Sequence, residues 1–247
     1  DLIWTRSADF DFNSYQINRA INGDVFDVLT YVYDKDGTAF TDSLINADSN
    51  FYSYYIVTID DCSDNSQRSE IGTSILLSGK TSPYDNMLFW NAYTLWNPKE
   101  YNLEGTSRPA QFLFAETMRT DAFEIVHDIN GNADGIWSYK IHAVKDDLEY
   151  VSFSNTLDLI QEPIVYIPNA FSPNKDNLNE NWDVTADYTS EYFVQVFNRW
   201  GQLVFQSENP TVKWDGDNAM EGTYLYKLSY RNLKGRINFK TGSVHII

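Results

Sequence analysis

Apolar and polar residues alternate with period two along much of this 247-residue chain. Phe123-Glu124-Ile125-Val126-His127 and Ser138-Tyr139-Lys140-Ile141-His142-Ala143 are the clearest runs, and each predicts a strand with one buried and one solvated face. Turn-rich spacers such as Asp34-Lys35-Asp36-Gly37 and Asn130-Gly131-Asn132-Ala133-Asp134-Gly135 interrupt the runs at short intervals. Long runs of Ala, Leu, Glu and Lys at helical spacing are missing. No apolar stretch approaches the ~20 residues that a membrane helix needs. The pattern predicts an all-β chain.

The strand pattern also repeats. Leu2-Ile3-Trp4-Thr5 corresponds to Leu88-Phe89-Trp90-Asn91, and Tyr15-Gln16-Ile17-Asn18 to Tyr101-Asn102-Leu103-Glu104. Tyr55-Ile56-Val57-Thr58-Ile59 corresponds to Tyr139-Lys140-Ile141-His142-Ala143. A Ser-rich stretch follows each copy, Ser66-Gln67-Arg68-Ser69 and Ser152-Phe153-Ser154-Asn155, and then an apolar strand, Ile75-Leu76-Leu77 or Leu157-Asp158-Leu159-Ile160. The offset stays at 84 to 86 residues through the Ser-rich stretch and at 82 in the apolar strand after it, which predicts two tandem β-sandwich modules over residues 1–71 and 72–160. An early Trp and a later Tyr-bearing strand before a Ser-rich stretch resemble fibronectin type III modules. The second copy has a further strand around residues 73–77, ahead of its Trp-bearing strand. The first copy is therefore expected to lack its opening strand, and the chain to be a piece of something longer.

Charge marks a third unit. The net charge is −17, which leaves no electrostatic footprint for nucleic acid. It is unevenly spread: residues 1–162 carry −16 and residues 163–247 only −1. The break falls at Gln161-Glu162-Pro163. An acidic, self-repelling surface favours solubility, so the tail is the part better suited to docking. Aromatic residues make up 16% of the chain, which suits half-buried strands.

Residues 163–247 carry a series of motifs. Ile167-Pro168-Asn169-Ala170-Phe171-Ser172-Pro173-Asn174-Lys175-Asp176-Asn177-Leu178-Asn179-Glu180 precedes Trp182-Asp183-Val184. Val196-Phe197-Asn198-Arg199-Trp200-Gly201-Gln202-Leu203-Val204-Phe205 follows, read as a hairpin turn between two alternating strands. Then come Trp214-Asp215-Gly216, Glu221-Gly222-Thr223-Tyr224-Leu225-Tyr226-Lys227-Leu228 and the closing Gly242-Ser243-Val244-His245-Ile246-Ile247. In this order they resemble the gliding-motility-associated, type B sorting domain of type IX secretion substrates. The family's usual Pro-Asn-Gly-Asp-Gly run reads Pro173-Asn174-Lys175-Asp176-Asn177 here, with both glycines replaced. The resemblance implies a C-terminal signal read by the type IX outer-membrane translocon. It also implies retention on the cell surface by an outer-membrane partner of the PorP/SprF type, as at the end of SprB-like gliding-motility adhesins. The expected architecture is three immunoglobulin- or fibronectin III-like sandwiches in a row.

Candidate chemistry is sparse. Asn174, Asp176, Asn179 and Glu180 could set oxygens around a Ca²⁺ ion, or bond their own backbone as Asx turns do. Asp128, Asn130, Asn132 and Asp134 alternate like calcium-loop ligands, but Ala133 stands where the loop needs Gly, so a hairpin turn is expected. His127, His142 and His245 are scattered among strands without metal-ligand spacing. The acid pairs Asp60-Asp61 and Asp146-Asp147 read as solvated turn charges, and no Gly-rich phosphate loop is present. The reading is of a binding protein, not an enzyme. Cys62, the only cysteine, is expected to be buried as a small hydrophobe. Trp90, Tyr93, Trp96 and Tyr101 form either core or a sugar platform, and the alternative function is the carbohydrate-binding accessory region of a surface hydrolase. Trp200 at a hairpin tip suits insertion into a partner, with Arg199 beside it to pair or stack. Lys227, Arg231, Lys234, Arg236 and Lys240 offer a basic stripe along the last hairpin, read equally as edge protection. The partner contacts expected are Arg199, Trp200, Lys234, Arg236 and the final strand from Gly242 through Ser243, Val244, His245 and Ile246 to Ile247.

Overall fold

The computed structural model describes every residue except 67, 120, 146–150, 217 and 218. The pair Asp146-Asp147 lies outside the described residues. Among the described residues all regular structure is strand.

The first unit holds β1 (Leu2–Ile3), β2 (Phe12–Ile21), β3 (Asp27–Val32), β4 (Ala39–Phe40), β5 (Tyr52–Asp60) and β6 (Gly72–Thr73). One sheet runs β3-β2-β5-β6, and β1 pairs β4 in a two-residue ladder. The Trp4 ring meets Tyr15 edge-on at 5.4 Å. Arg19 donates to Asp42 at 2.8 Å, and the Tyr54 hydroxyl donates to the same carboxylate at 2.9 Å. Burial alone would raise the Asp42 carboxyl, but the bonds from Arg19, the Leu44 amide and Tyr54 outweigh it and hold it below its ordinary value.

The second unit holds β7 (Leu77–Ser82), β8 (Asp85–Trp90), β9 (Glu100–Arg108), β10 (Leu113–Met118), β11 (Glu124–Asp128), β12 (Ile136–Val144), β13 (Val151–Phe153) and β14 (Leu157–Ile160). The sheet β7-β8-β11 faces a sheet β10-β9-β12, whose β12 also pairs β13 and β14. Alternate residues of facing strands, among them Leu88, Trp90, Tyr101, Leu103, Trp137, Tyr139 and Ile141, bury into one core.

The third unit holds β15 (Ile164–Tyr166), β16 (Ala170–Phe171), β17 (Thr185–Asp187), β18 (Thr189–Phe197), β19 (Leu203–Ser207), β20 (Gly222–Asn232) and β21 (Ile237–Ile246). Its large sheet runs β16-β21-β20-β18-β19, and β15 pairs β17. A second core gathers Phe171, Trp182, Val184, Val194, Val196, Trp214, Tyr224, Leu228, Val244 and Ile246. Trp182 and Trp214 join by an isolated bridge, and the Trp182 indole N–H donates to the Pro168 carbonyl at 2.8 Å.

Two details differ from the sequence reading. Ile17 pairs Ile56 and Leu103 pairs Ile141, so Tyr54, not Tyr55, is the counterpart of Tyr139. Cys62 is exposed, because the Asp60 side chain accepts from the Cys62 and Asp64 amides and turns the chain outward.

Candidate partner-binding surface of the C-terminal sandwich

The hairpin between β18 and β19 closes through an Asn198 amide bonded to the Gln202 carbonyl at 3.0 Å. Asn198 Oδ1 accepts from the Trp200 and Gln202 amides, and Gly201 takes a φ of 78° that its missing Cβ permits. This fixes the tip and turns Trp200 outward, 66% exposed. The Arg199 guanidinium lies 5.0 Å from the Trp200 ring centroid, so tip and cation form one unit.

The outer face of the large sheet is amphipathic. Phe193, Ser229 and Phe239 form one cross-strand row, Gln195, Lys227 and Thr241 the next, and Phe197, Leu225 and Ser243 a third. Leu203 stands opposite Phe197 across a bulge. Phe239 is 75% exposed, and Leu225, Ile237 and Leu203 are exposed too. A shallow groove of about 510 Å³ is lined by Glu191, Glu208, Phe193, Ile237 and Phe239 among others.

The edge of that sheet is open along most of β21. Strand β16 covers β21 only at His245 and Ile246. The His245 amide donates to the Asn169 carbonyl and that of Ile247 to Phe171. Odd-numbered residues of β21 therefore turn their backbone groups away from β20. From Ile237 to Ser243 no described strand pairs with that side, which leaves a template for a further strand.

The expected contact residues divide. Arg199, Trp200, Ser243, His245 and Ile247 reach the surface, and His245 Nδ1 lies 3.0 Å from Thr223 Oγ1. Val244 and Ile246 are core residues, since they occupy the inward positions of the alternation. Gly242 is there for packing: a Cβ would stand 2.5 Å from Tyr226 Oη and 2.8 Å from Cζ. The basic residues do not form one stripe. Lys227 lies over Phe197 on the outer face, and Arg231 pairs with Glu191 at 3.0 Å. Lys234 pairs with Glu162, the exposed Arg236 anchors its amide on Asn232 Oδ1, and Lys240, exposed on the opposite side of β21 from Phe239, reaches the Val165 carbonyl at 3.5 Å.

In the loop after Pro173, the side-chain oxygens close turns on their own backbone. Asn174 Oδ1 accepts from the Asp176 amide, Asp176 Oδ1 from Leu178, and Glu180 Oε1 from Asn177. Lys175, Asn177 and Asn179 take φ values of 68°, 67° and 52°. Among the described residues no group of three His, Cys, Asp or Glu is placed to hold a metal. Asp128 and Asn132 close turns in the same way onto the Asn130 and Asp134 amides.

In the second unit, Trp90 and Tyr101 are core residues, with Tyr93 and Trp96 packed against them. Trp96 also lines a groove of about 500 Å³ with Arg68, Ser69, Glu70, Thr94 and Asn97. His127 is half-buried, Nδ1 2.7 Å from the Tyr139 hydroxyl and its ring stacked 3.8 Å from Phe114. No described helix is long and apolar enough to cross a membrane, which leaves strand-built barrels unaddressed.

Residues 165–246 match the family model of the CHU_C type IX secretion signal domain. No curated protein matches the chain. The chain is similar in shape to the FN1–FN3 domains of chicken CNTN1, at 12% identity over 98% of this chain and 91% of that one, TM-score 0.29. It is similar to a tetra-tandem repeat from the extending region of a large adhesion protein, at 12% identity over 96% and 67%, TM-score 0.35. A two-domain fibronectin type III segment of chicken tenascin matches at 14% identity over 70% and 97%, TM-score 0.38. The secretion-signal match implies that the chain is exported by the type IX system.

Proposed function

We propose that residues 163–247 are the export signal and surface-attachment region of a large adhesin, and that the two preceding sandwiches are its adhesive or spacer repeats. The chain works by recognition and not by catalysis. An outer-membrane barrel of the PorP/SprF type holds the folded C-terminal sandwich at the cell surface, in the service of adhesion or gliding motility. One observation carries the attachment reading. Of the aromatic rings in the motifs of this sandwich, Trp200 is the one that stands exposed, at 66%, while the others are buried or half-buried. A large ring held at a rigid tip with a cation against it has the character of an interface anchor. Beside it, the open edge of β21 offers main-chain pairing.

The test uses the full-length parent protein in a type IX-competent host. Deleting residues 163–247 should abolish its appearance outside the cell. Trp200→Ala should leave export intact and shift the protein from the cell surface to the medium by several-fold. Normal surface amounts after the deletion would defeat the whole reading; normal retention of Trp200→Ala would defeat the role given to the tip.

A second reading is supported by the groove at Trp96, where an indole, a guanidinium, a carboxylate, an amide and hydroxyls converge. That is the chemistry of a saccharide site. Saturable binding to one member of a polysaccharide panel, lost on Trp96→Ala, would favour it.

A further inference from the structure

The second and third sandwiches have separate cores, yet side chains of the third reach into the core of the second. Tyr188 lies in the turn between β17 and β18, outside its own unit's core, and is buried in that of the second unit. It is only 4% exposed. Its backbone takes a φ of 56°, a left-handed conformation that a bulky residue adopts only when its surroundings hold it there. Leu233, from the β20–β21 turn, and Ile164 pack against the same core.

The second unit is shaped to receive them. Gly135 has no room for a side chain: a Cβ there would overlap Leu233 Cδ1 and stand 2.7 Å from Tyr188 Cδ1. The Tyr84 ring packs against Tyr188 at 5.9 Å, and its hydroxyl donates to Asp187 Oδ2 at 2.8 Å. The connecting segment is bound as well. The Gln161 amide donates to the Gly135 carbonyl at 2.7 Å, its side chain donates to Asp85 O and Asn86 Oδ1, and Glu162 pairs with Lys234. A flexible linker between independent modules has none of these ties.

We infer that residues 75–247 form one rigid export unit, in which the second sandwich is the intramolecular partner of the signal sandwich and fixes the orientation in which that signal is presented. The inference rests on the export reading above for its functional half. Its structural half stands alone. A partner docking on Trp200 or on the β21 edge then meets the second sandwich at a fixed angle, so cargo and signal are read together.

The experiment uses the whole chain and two variants that disturb the joint from opposite sides, Gly135→Leu in the second unit and Tyr188→Ser in the third. Residual dipolar couplings of the wild-type chain should fit a single alignment tensor over both units, and either variant should need two. Wild-type data that demand two tensors would overturn the inference. In the second arm, export of the full-length parent carrying each variant is measured in a type IX-competent host, with far-ultraviolet circular dichroism confirming that both units stay folded. A several-fold loss of surface display for both variants supports a joint signal. Undiminished display of a folded, decoupled variant overturns the functional half and leaves the export reading standing. Undiminished display after deletion of residues 163–247 sinks the export reading and leaves the rigid joint standing.

Discussion

Removing one hydroxyl from the second sandwich tests how its two sheets are held together. Tyr139, on β12, accepts from Asn86 Nδ2 at 2.7 Å, and Asn86, on β8 of the other sheet, is 0% exposed. The orientation of each group follows by elimination. Gln161 Nε2 must donate to the Asp85 carbonyl, so it also donates to Asn86 Oδ1, which leaves the Asn86 amino group facing Tyr139. The hydroxyl keeps one proton and one lone pair for His127 Nδ1, 2.7 Å away, and which of the two donates follows the ring's tautomer. Tyr139→Phe strands a buried amide donor, which costs about 1–3 kcal/mol. With a urea m-value of about 2 kcal/mol/M, a cost near 2 kcal/mol lowers the unfolding midpoint by about 1 M. Trp90 and Trp137 lie in this core and report the transition by fluorescence.

The same geometry sets a pH dependence. Burial holds His127 below its ordinary value of 6.5, partly offset by the Asp128 carboxylate. The unfolded chain therefore binds more protons as the medium acidifies. The stabilisation is complete above pH 6.5 and is lost as pH falls through the lowered value. Protonated His127 must donate from Nδ1, so the Tyr139 oxygen then receives both Asn86 and His127 and its own proton has no acceptor in this pair. Burial of the ring survives Tyr139→Phe, so the acid slope should persist in that variant. A midpoint shift under about 0.25 M, or about 0.5 kcal/mol at that m-value, would refute the reasoning, and so would a wild-type midpoint constant from pH 7.5 to 5.

Further expectations concern the other two units. The counterpart tether in the first sandwich, Tyr54 to Asp42, should fail in a separate, more acidic step: Asp42 lies below its ordinary 3.8, so its contribution is present above that pH and lost below it. Arg19→Leu removes the carboxylate's charged partner, leaving the Tyr54 and Leu44 bonds, and should cost about 1.5–3 kcal/mol, read as early unfolding of this unit in hydrogen exchange. Lys175→Gly should raise the stability of the third sandwich by up to about 1 kcal/mol, because a left-handed φ of 68° strains any residue with a Cβ; a lower melting temperature would count against it. Gly242→Ala should cost about 1–3 kcal/mol by driving a methyl group into the Tyr226 ring, measured by thermal denaturation.

The strand pattern, the repeat and the motifs of the C-terminal sandwich are legible because each depends on residues near one another in sequence. Alternation along Phe123 to His127 needs no knowledge of what lies opposite. The same logic loses its phase in β5, where Tyr52-Ser53-Tyr54-Tyr55-Ile56-Val57 offers apolar residues to both faces. That is how Tyr55 comes to be aligned where Tyr54 belongs. The basic residues from Lys227 to Lys240 look like a stripe because they are close in sequence, but a hairpin sends alternate residues to opposite faces. Cys62 follows its turn and not its residue type. Tyr188 carries no local mark at all. Its partners Gly135 and Tyr84 lie more than fifty residues away, and a lone tyrosine in a polar turn resembles many others.

The motifs that identify the C-terminal sandwich are mostly invisible from outside it. Phe171, Trp182, Val196, Trp214 and Tyr224 are buried together, so what they encode is a shape. A protein that grips the folded sandwich cannot touch them. It has the tip, the outer sheet face and the open edge, where Phe239, Leu225 and Ile237 are exposed though no motif reading singles them out for contact. Main-chain pairing along an edge tolerates many side chains, so one receptor could hold sandwiches that share a core and differ over their surfaces. Arg199 and Trp200 belong to both classes, being in a motif and yet exposed. If recognition works through shape and edge, substitutions on the outer face should weaken attachment gradually, whereas those at Trp200 should weaken it abruptly.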